Sequence, residues 1–99
     1  MTLSVVAIFV AKPGCEKQLE QLFGSLVEPT LREEGCLYYQ LNRDLADPRR
    51  FVFTEVWRSE ADLERHLAAP HLQAVAGPVA ECIAASEVLK LSRVAGGGV

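Results

Sequence analysis

The chain has 99 residues, which suits one domain rather than two. Its formal net charge of −3 offers no attraction to nucleic acid or to an anionic membrane surface. No stretch approaches the roughly 20 apolar residues of a membrane span, and Met1–Ser4 lacks the basic region that opens a signal peptide. Cys15, Cys36 and Cys82 are widely spaced and form no CxxC pair, which predicts reduced thiols in a cytoplasmic protein.

An apolar strand and a long helix open the chain. In residues 3–11 the side chains that would point to either face of a strand are mostly apolar, so we expect a strand that is covered on both faces. From Cys15 to about Glu34 the apolar residues follow a helical period. Pro29 should kink or interrupt this helix because proline removes a donor and clashes one turn back, and Gly35 should end it. The residues expected to face inward are Leu19, Leu22, Phe23, Leu26, Val27 and Leu31.

Two further strands are predicted at Cys36–Asn42 and Phe51–Trp57, which are rich in β-branched and aromatic residues. The segment between them, residues 43–50, is polar and turn-forming. The two strands should therefore pair as an antiparallel hairpin.

A second helical region follows. Ser59 has an acidic residue, Asp62, three positions later, which is typical of a capping box. The helix that it opens should bury Leu63 and Leu67 and end before Pro70.

The last third of the chain alternates helical and extended patterns. Residues 71–84 have helical composition, but Gly77-Pro78 predicts two short pieces instead of one helix. Residues 87–91 read as a final strand, so that 1–94 would form the domain and 95–99 a loose tail. The residues expected to face inward are Leu72, Val75, Val79 and Ile83.

The element order, strand-helix-strand-strand-helix-strand, is that of the ferredoxin-like α+β fold. Right-handed crossovers place both helices on one face of a four-stranded antiparallel sheet. The other face would then be bare, although residues 3–11 are apolar on both sides. We therefore expect a homodimer in which two sheets pack through their open faces, with a different partner on that face as the alternative.

Glu55 is the first candidate for chemistry. It shares one strand face with Phe51, Phe53 and Trp57. A carboxylate buried among aromatic rings must find a partner or protonate more readily, and a raised pKa suits a general base. The alternative is a structural carboxylate that pairs with an arginine or a tyrosine hydroxyl.

The histidines and tyrosines supply further candidates. His66 lies at the edge of the inward face of its helix, and His71 follows a proline at a helix start; both could point into a cleft or remain at the surface. A metal site is not expected, because no cysteine or carboxylate stands at a zinc-like spacing from them. Tyr38 and Tyr39 should point to opposite faces of the sheet, and a tyrosine hydroxyl could donate to a substrate oxygen or be satisfied in the core.

Several segments together resemble the antibiotic biosynthesis monooxygenase superfamily. The resemblance covers about residues 3–91 and is specific only when the segments are combined. The segments are Glu34–Tyr39, Asp44–Pro48, Phe51–Trp57, Ser59-Glu60, and His66 with Pro70-His71.

The resemblance implies a dimeric ferredoxin-like α+β barrel with a pocket between sheet and helices in each subunit. It also implies oxygenation of a small aromatic or quinone-like ligand, such as a quinol, by dioxygen without metal, flavin or other cofactor. A dry apolar pocket with one base suits that chemistry. The expected site has Glu55 and His66 as base candidates and Tyr39, Phe53, Trp57 and His71 as substrate contacts.

The chain departs from some branches of that superfamily. Haem-degrading members carry a histidine near the position of Ala76 and an asparagine near that of Ala7, so haem degradation is not expected. Anthrone oxygenases carry an asparagine where this chain has Phe53, which argues against anthrone substrates.

Two alternatives to oxygenation remain open. A relative with a similar His…Pro-His segment isomerises a small phosphorylated ketone. Such an isomerisation proceeds through an enediol and would also need a base, for which Glu55, His66 and His71 are again the candidates. The other alternative is a non-enzymatic module that only binds a small ligand.

Overall fold

A computed structural model describes residues 2–97. The predicted tail, 95–99, reaches past them, since 98 and 99 lie outside the described residues, as does Met1. Within 2–97 no helix combines the length and apolar character that crossing a bilayer requires. The elements in chain order are β1 Leu3–Ala11, α1 Glu16–Leu31, β2 Cys36–Arg43, β3 Arg50–Trp57, α2 Glu60–Leu67, α3 Pro70–Cys82 and β4 Ile83–Leu91.

The four strands form one sheet in the order β2-β3-β1-β4, and every neighbouring pair is antiparallel. This confirms the ferredoxin-like prediction and the hairpin of β2 and β3. Directly opposed residues on neighbouring strands share a face. One such row crosses the whole sheet beneath the helices: Tyr39 opposes Glu55, Glu55 opposes Val5, and Val5 opposes Lys90.

Helix α1 packs on the sheet through a stripe of buried residues at positions 19, 23, 26 and 30. Eleven residues complete about three turns, so the stripe that begins at Leu19 ends on Thr30. The expectation that Leu31 faces inward is wrong, because that side chain is 50% exposed. Pro29 does not interrupt α1; it lies in the last turn, and the helix ends at Leu31, three residues before the expected end.

Three further expectations about the second half are wrong. Helix α3 runs unbroken through Gly77-Pro78. A proline disfavours helical backbone at the preceding residue partly through its clash with that residue's Cβ, and glycine has none. Leu67 is 53% exposed instead of buried, and β4 begins at Ile83, four residues before the predicted start.

Asp62 fixes the start of α2. The Ser59 hydroxyl accepts a hydrogen bond from the backbone N–H of Asp62 at 3.2 Å and donates to its carboxylate at 2.9 Å. Arg58 and Arg65 also donate to that carboxylate, at 2.9 to 3.0 Å. Gly35, at φ +86°, lies against Asp62 so closely that a Cβ on it would be 2.7 Å from Asp62 Cβ. These contacts join the α1–β2 turn to α2.

The opposite face of the sheet carries no helix within the described residues. Its central row places Val6 of β1 between Thr54 of β3 and Leu89 of β4. Leu89 is 40% exposed, and Val6 and Thr54 are half-buried. The face is thus apolar at its centre and partly open to solvent.

Candidate active site

A cavity of about 360 Å³ lies between the helices and the sheet. Its floor is formed by buried residues, including Val5, Phe53, Glu55 and His66. Its mouth is formed by exposed residues of α2, α3 and β4. Among the described residues, these mouth residues are Leu67, Gln73, Ala76, Ala80, Val88 and Lys90.

Glu55 places a carboxylate on the cavity floor, where it is only 6% exposed. Its Oε1 accepts a hydrogen bond from Trp57 Nε1 at 2.8 Å. Burial raises the pKa of Glu55, and the Trp57 hydrogen bond opposes that rise only in part. The partner within the described residues is therefore an indole and not the arginine that the alternative offered, and none of these residues hydrogen-bonds the second carboxylate oxygen.

His66 is 2% exposed and forms part of the cavity wall. Its Nδ1 lies 2.7 Å from Glu33 Oε2, and an ionised carboxylate only accepts, so Nδ1 carries the proton of the neutral ring. Nε2 makes no hydrogen bond to any described residue and remains free to accept one from a ligand in the cavity. Burial lowers the pKa of His66, while Glu33 acts in the opposite direction.

Glu33 is a candidate site residue that the sequence did not suggest. It lies in the turn after α1, and the same oxygen that bonds His66 lies 2.9 Å from His71 Nε2. Thr30 Oγ1 is 3.1 Å from that His71 nitrogen. The available signal was the inward stripe of α1, because Glu33 falls one turn after Thr30 and continues it.

The carboxylate and the two imidazoles could in principle hold a metal ion. The ligand atoms of Glu33, His66 and His71 all lie within 4.8 Å of one another. The two nitrogens, however, sit 2.7 and 2.9 Å from one oxygen, which is hydrogen-bond spacing. A metal ion there would have to replace the hydrogens of both hydrogen bonds, and two of its three ligands, Glu33 and His71, do not line the cavity.

The tyrosines point to opposite faces, as expected: Tyr39 is 6% exposed, whereas Tyr38 is 43% exposed on the open face. Tyr39 lines the cavity and packs on Phe53 at 5.1 Å between ring centroids. Burial and the nearby Glu55 carboxylate raise the pKa of the Tyr39 hydroxyl, which therefore stays protonated as a donor.

The structure brings four of the six predicted site residues to the cavity wall: Tyr39, Phe53, Glu55 and His66. The other two stand behind it. Trp57 is fully buried and stacks against His66 at 4.7 Å between ring centroids. His71 contacts Glu33 and Thr30 and is partly open to solvent, with 22% of its side chain exposed.

Comparison with known proteins identifies the family. The family model described as "Antibiotic biosynthesis monooxygenase" matches residues 2–77. The chain belongs to this family. Escherichia coli YgiN, named "Probable quinol monooxygenase YgiN", is 36% identical over 73% of this chain and 79% of its own length. The protein sll1783 of Synechocystis sp. is 27% identical, and the match spans only 57% of its length.

Solved structures of about the same length superpose closely on the chain. PA3566 from Pseudomonas aeruginosa gives a TM-score of 0.90 at 33% identity, with 95% of each chain covered. Rv0793 from Mycobacterium tuberculosis gives 0.91 at 25% identity, with 99% of this chain and 100% of that chain covered. The family and its fold are thereby established.

Proposed function

We propose that the protein is a cofactor-independent monooxygenase of a small quinol and that His66 is its general base. The observation that supports this most strongly is a buried imidazole in the wall of an apolar cavity, with a carboxylate on Nδ1 and no described hydrogen-bond partner on Nε2. A base oriented by a hydrogen-bonded carboxylate is a recurrent catalytic arrangement. The likeness to YgiN, whose name refers to quinol oxidation, points to the same class of substrate.

The cavity wall favours an aromatic ligand. Apart from Tyr39, Glu55, His66, Gln73 and Lys90, the lining residues are valine, leucine, alanine and phenylalanine. Such a wall stabilises a flat apolar ring and leaves a small phosphorylated ketone poorly hydrogen-bonded. The isomerase alternative is therefore the weaker one.

The proposed reaction begins with proton transfer from the substrate to His66. A quinol hydroxyl donates to His66 Nε2, and the imidazolium that forms is stabilised by Glu33. The resulting electron-rich anion reduces dioxygen, and the two recombine as a ring hydroperoxide. The ring carbon that bears the peroxide then loses its proton and becomes a carbonyl as the O–O bond breaks, and the outer oxygen takes a proton and leaves as water. The trione that remains enolises to the hydroxyquinone. One quinol and one dioxygen thus give one hydroxyquinone and one water, without an external reductant.

Three other residues position the substrate in this scheme. The Tyr39 hydroxyl stays protonated and donates to a substrate oxygen. Glu55, whose pKa is raised by burial, accepts a hydrogen bond from the second quinol hydroxyl. Phe53 supplies a ring face on the floor. His71, which is partly exposed, gives Glu33 a second donor and connects the base to bulk solvent.

We further propose a homodimer through the open sheet face. The half-exposed centre of that face, at Val6, Thr54 and Leu89, suits burial against its own copy. The site row formed by Tyr39, Glu55 and Val5 lies on the other side of the sheet, so each subunit would keep its own cavity.

The proposal is tested by following the oxygen atom. Protein is mixed anaerobically with 1,4-naphthoquinol and EDTA, without flavin, and the reaction is started with ¹⁸O₂. We expect 2-hydroxy-1,4-naphthoquinone with one labelled atom, whereas autoxidation gives the unhydroxylated quinone. Label incorporation should be lost in His66→Ala and reduced in Glu55→Gln. Tight binding without any label in wild-type product would support the binding-module alternative instead.

A further inference from the structure

The charges that line the cavity are separated along its length. Among the described lining residues, Lys90 is the one cation and lies at the mouth, while Glu55 is the one carboxylate and lies on the floor. Glu55 is 6% exposed, whereas 48% of the Lys90 side chain is exposed. A ligand that fills the cavity therefore meets a carboxylate at its inner end and an ammonium group at its outer end.

The sheet register sets how far apart the backbones of these two charged residues lie. Val5 on the central strand opposes Glu55 on one side and Lys90 on the other, so all three side chains share the helix-covered face. Neighbouring strands lie roughly 4.8 Å apart, which places the backbones of Glu55 and Lys90 about 10 Å apart. Because both side chains extend to the same side of the sheet, a bicyclic aromatic ring with one polar substituent at each end is of a size to lie between the two residues.

The present partner of Lys90 does not block this use. Its Nζ lies 3.3 Å from Glu60 Oε2, but 64% of the Glu60 side chain is exposed. An exposed ion pair of this kind contributes little and exchanges readily with another anion. At the mouth, a ligand anion can pair with Lys90 and still keep part of its hydration, whereas near Glu55 it would be repelled and desolvated.

We infer that the substrate carries an anionic substituent, such as a carboxylate, at the end remote from its reacting hydroxyl, and that Lys90 binds it. This inference rests on the proposed function, because the reacting hydroxyl is the group that His66 deprotonates. The neutral hydroxyl enters first and the anion remains at the mouth. Lys90 is thus a specificity-determining residue that fixes which end of the substrate reaches the base.

The test uses ligands that cannot be oxygenated by the quinol route, so that binding is measured apart from turnover. Calorimetry compares 6-hydroxy-2-naphthoate with 2-naphthol, which lacks the carboxylate. We expect wild type to prefer the carboxylate by about threefold to fivefold at low salt. Lys90→Met should abolish this preference, and Glu60→Gln should increase it because the competing anion is removed.

The matched control is Lys17→Met, which removes the same charge from an exposed position on α1. It should leave the preference unchanged. Equal or tighter binding of 2-naphthol by wild type, no binding of either ligand, or an undiminished preference in Lys90→Met would each overturn the inference. Absence of ¹⁸O incorporation with intact carboxylate preference would instead contradict the oxygenase function alone.

Discussion

Replacing Glu33 by glutamine is the sharpest perturbation of the proposed base. The amide keeps the shape of the side chain and can still accept from His66 Nδ1, but it carries no charge. A hydrogen bond to a charged group contributes about 1.5–3 kcal/mol and a neutral one about 0.5–1.5 kcal/mol. The Glu33 side chain is 14% exposed, so solvent screens the pair only slightly.

The expected cost in transition-state stabilisation is therefore roughly 1–2 kcal/mol, or about 5- to 30-fold in kcat/KM. Removal of the His66 imidazole should cost more, on the order of 10²- to 10⁴-fold, because it removes the base itself. The assay is initial-rate formation of ¹⁸O-labelled hydroxyquinone as a function of pH.

The pH profile gives a second, independent result for Glu33→Gln. The base must be neutral to act, so kcat/KM falls as pH drops through the pKa of His66. Burial lowers that pKa and Glu33 raises it. Loss of the Glu33 charge therefore moves the acidic limb to lower pH, and the limb of wild type should itself lie below the ordinary histidine value of about 6.5.

Glu34→Gln is the matched control, because it removes one charge at the next position. Glu34 is 74% exposed and contacts only surface arginines among the described residues, with Arg58 Nη2 at 3.5 Å. Glu34→Gln should leave both kcat/KM and the acidic limb of the pH profile unchanged. If Glu33→Gln behaves like Glu34→Gln, or if its acidic limb moves to higher pH, the carboxylate does not support the base and the reasoning fails.

Three further predictions concern the fold and the assembly. Burial raises the pKa of Glu55 above its unfolded value of about 4.3, so the ionised form destabilises the native state. Glu55→Gln should therefore unfold at a higher urea concentration than wild type at pH 8, and this gain in stability should vanish as pH falls below about 4. A constant gain across that range would show that charge is not its cause. Gly35→Ala introduces a Cβ at φ +86° against Asp62 and should lower the free energy of unfolding by about 2 kcal/mol or more. Gly24→Ala, where the new Cβ meets open space, should be neutral or slightly stabilising. Equal effects of the two substitutions in denaturation curves would refute this explanation of the turn. Val6→Lys should convert the proposed dimer to a folded monomer in sedimentation equilibrium at micromolar concentration, and a dimer that persists would contradict an interface on the open face.

The sequence predicts the sheet well because strand signals here are local. A nearly continuous apolar run places β1 at Leu3–Ala11 without error, and the paired strands at Cys36 and Phe51 follow from composition and the turn between them. Local signals were misleading where proline was involved. Pro29 and Pro78 both lie inside helices, the first near a helix end and the second after a glycine.

The site was only partly predictable, because its decisive contact is not local. Glu33 bonds His66 and His71 across 33 and 38 positions of sequence, and no spacing rule connects residues so far apart. Glu55 could be recognised from its aromatic neighbours on one strand. The partner of that carboxylate could not, since Trp57 reaches it through a rotamer choice that the sequence pattern does not specify.

The proposed mechanism requires His66 to present an unprotonated Nε2 to the cavity while Glu33 accepts the hydrogen bond from Nδ1–H. A long-range ¹H–¹⁵N correlation spectrum measures this tautomer directly, and the assignment is simple because the chain has only two histidines. At pH 7.5 we expect the Nδ1–H tautomer for His66, and we expect the chemical shift of its Nε2 to change when 2-naphthol binds. An Nε2–H tautomer, or an imidazolium that persists at that pH, would contradict it.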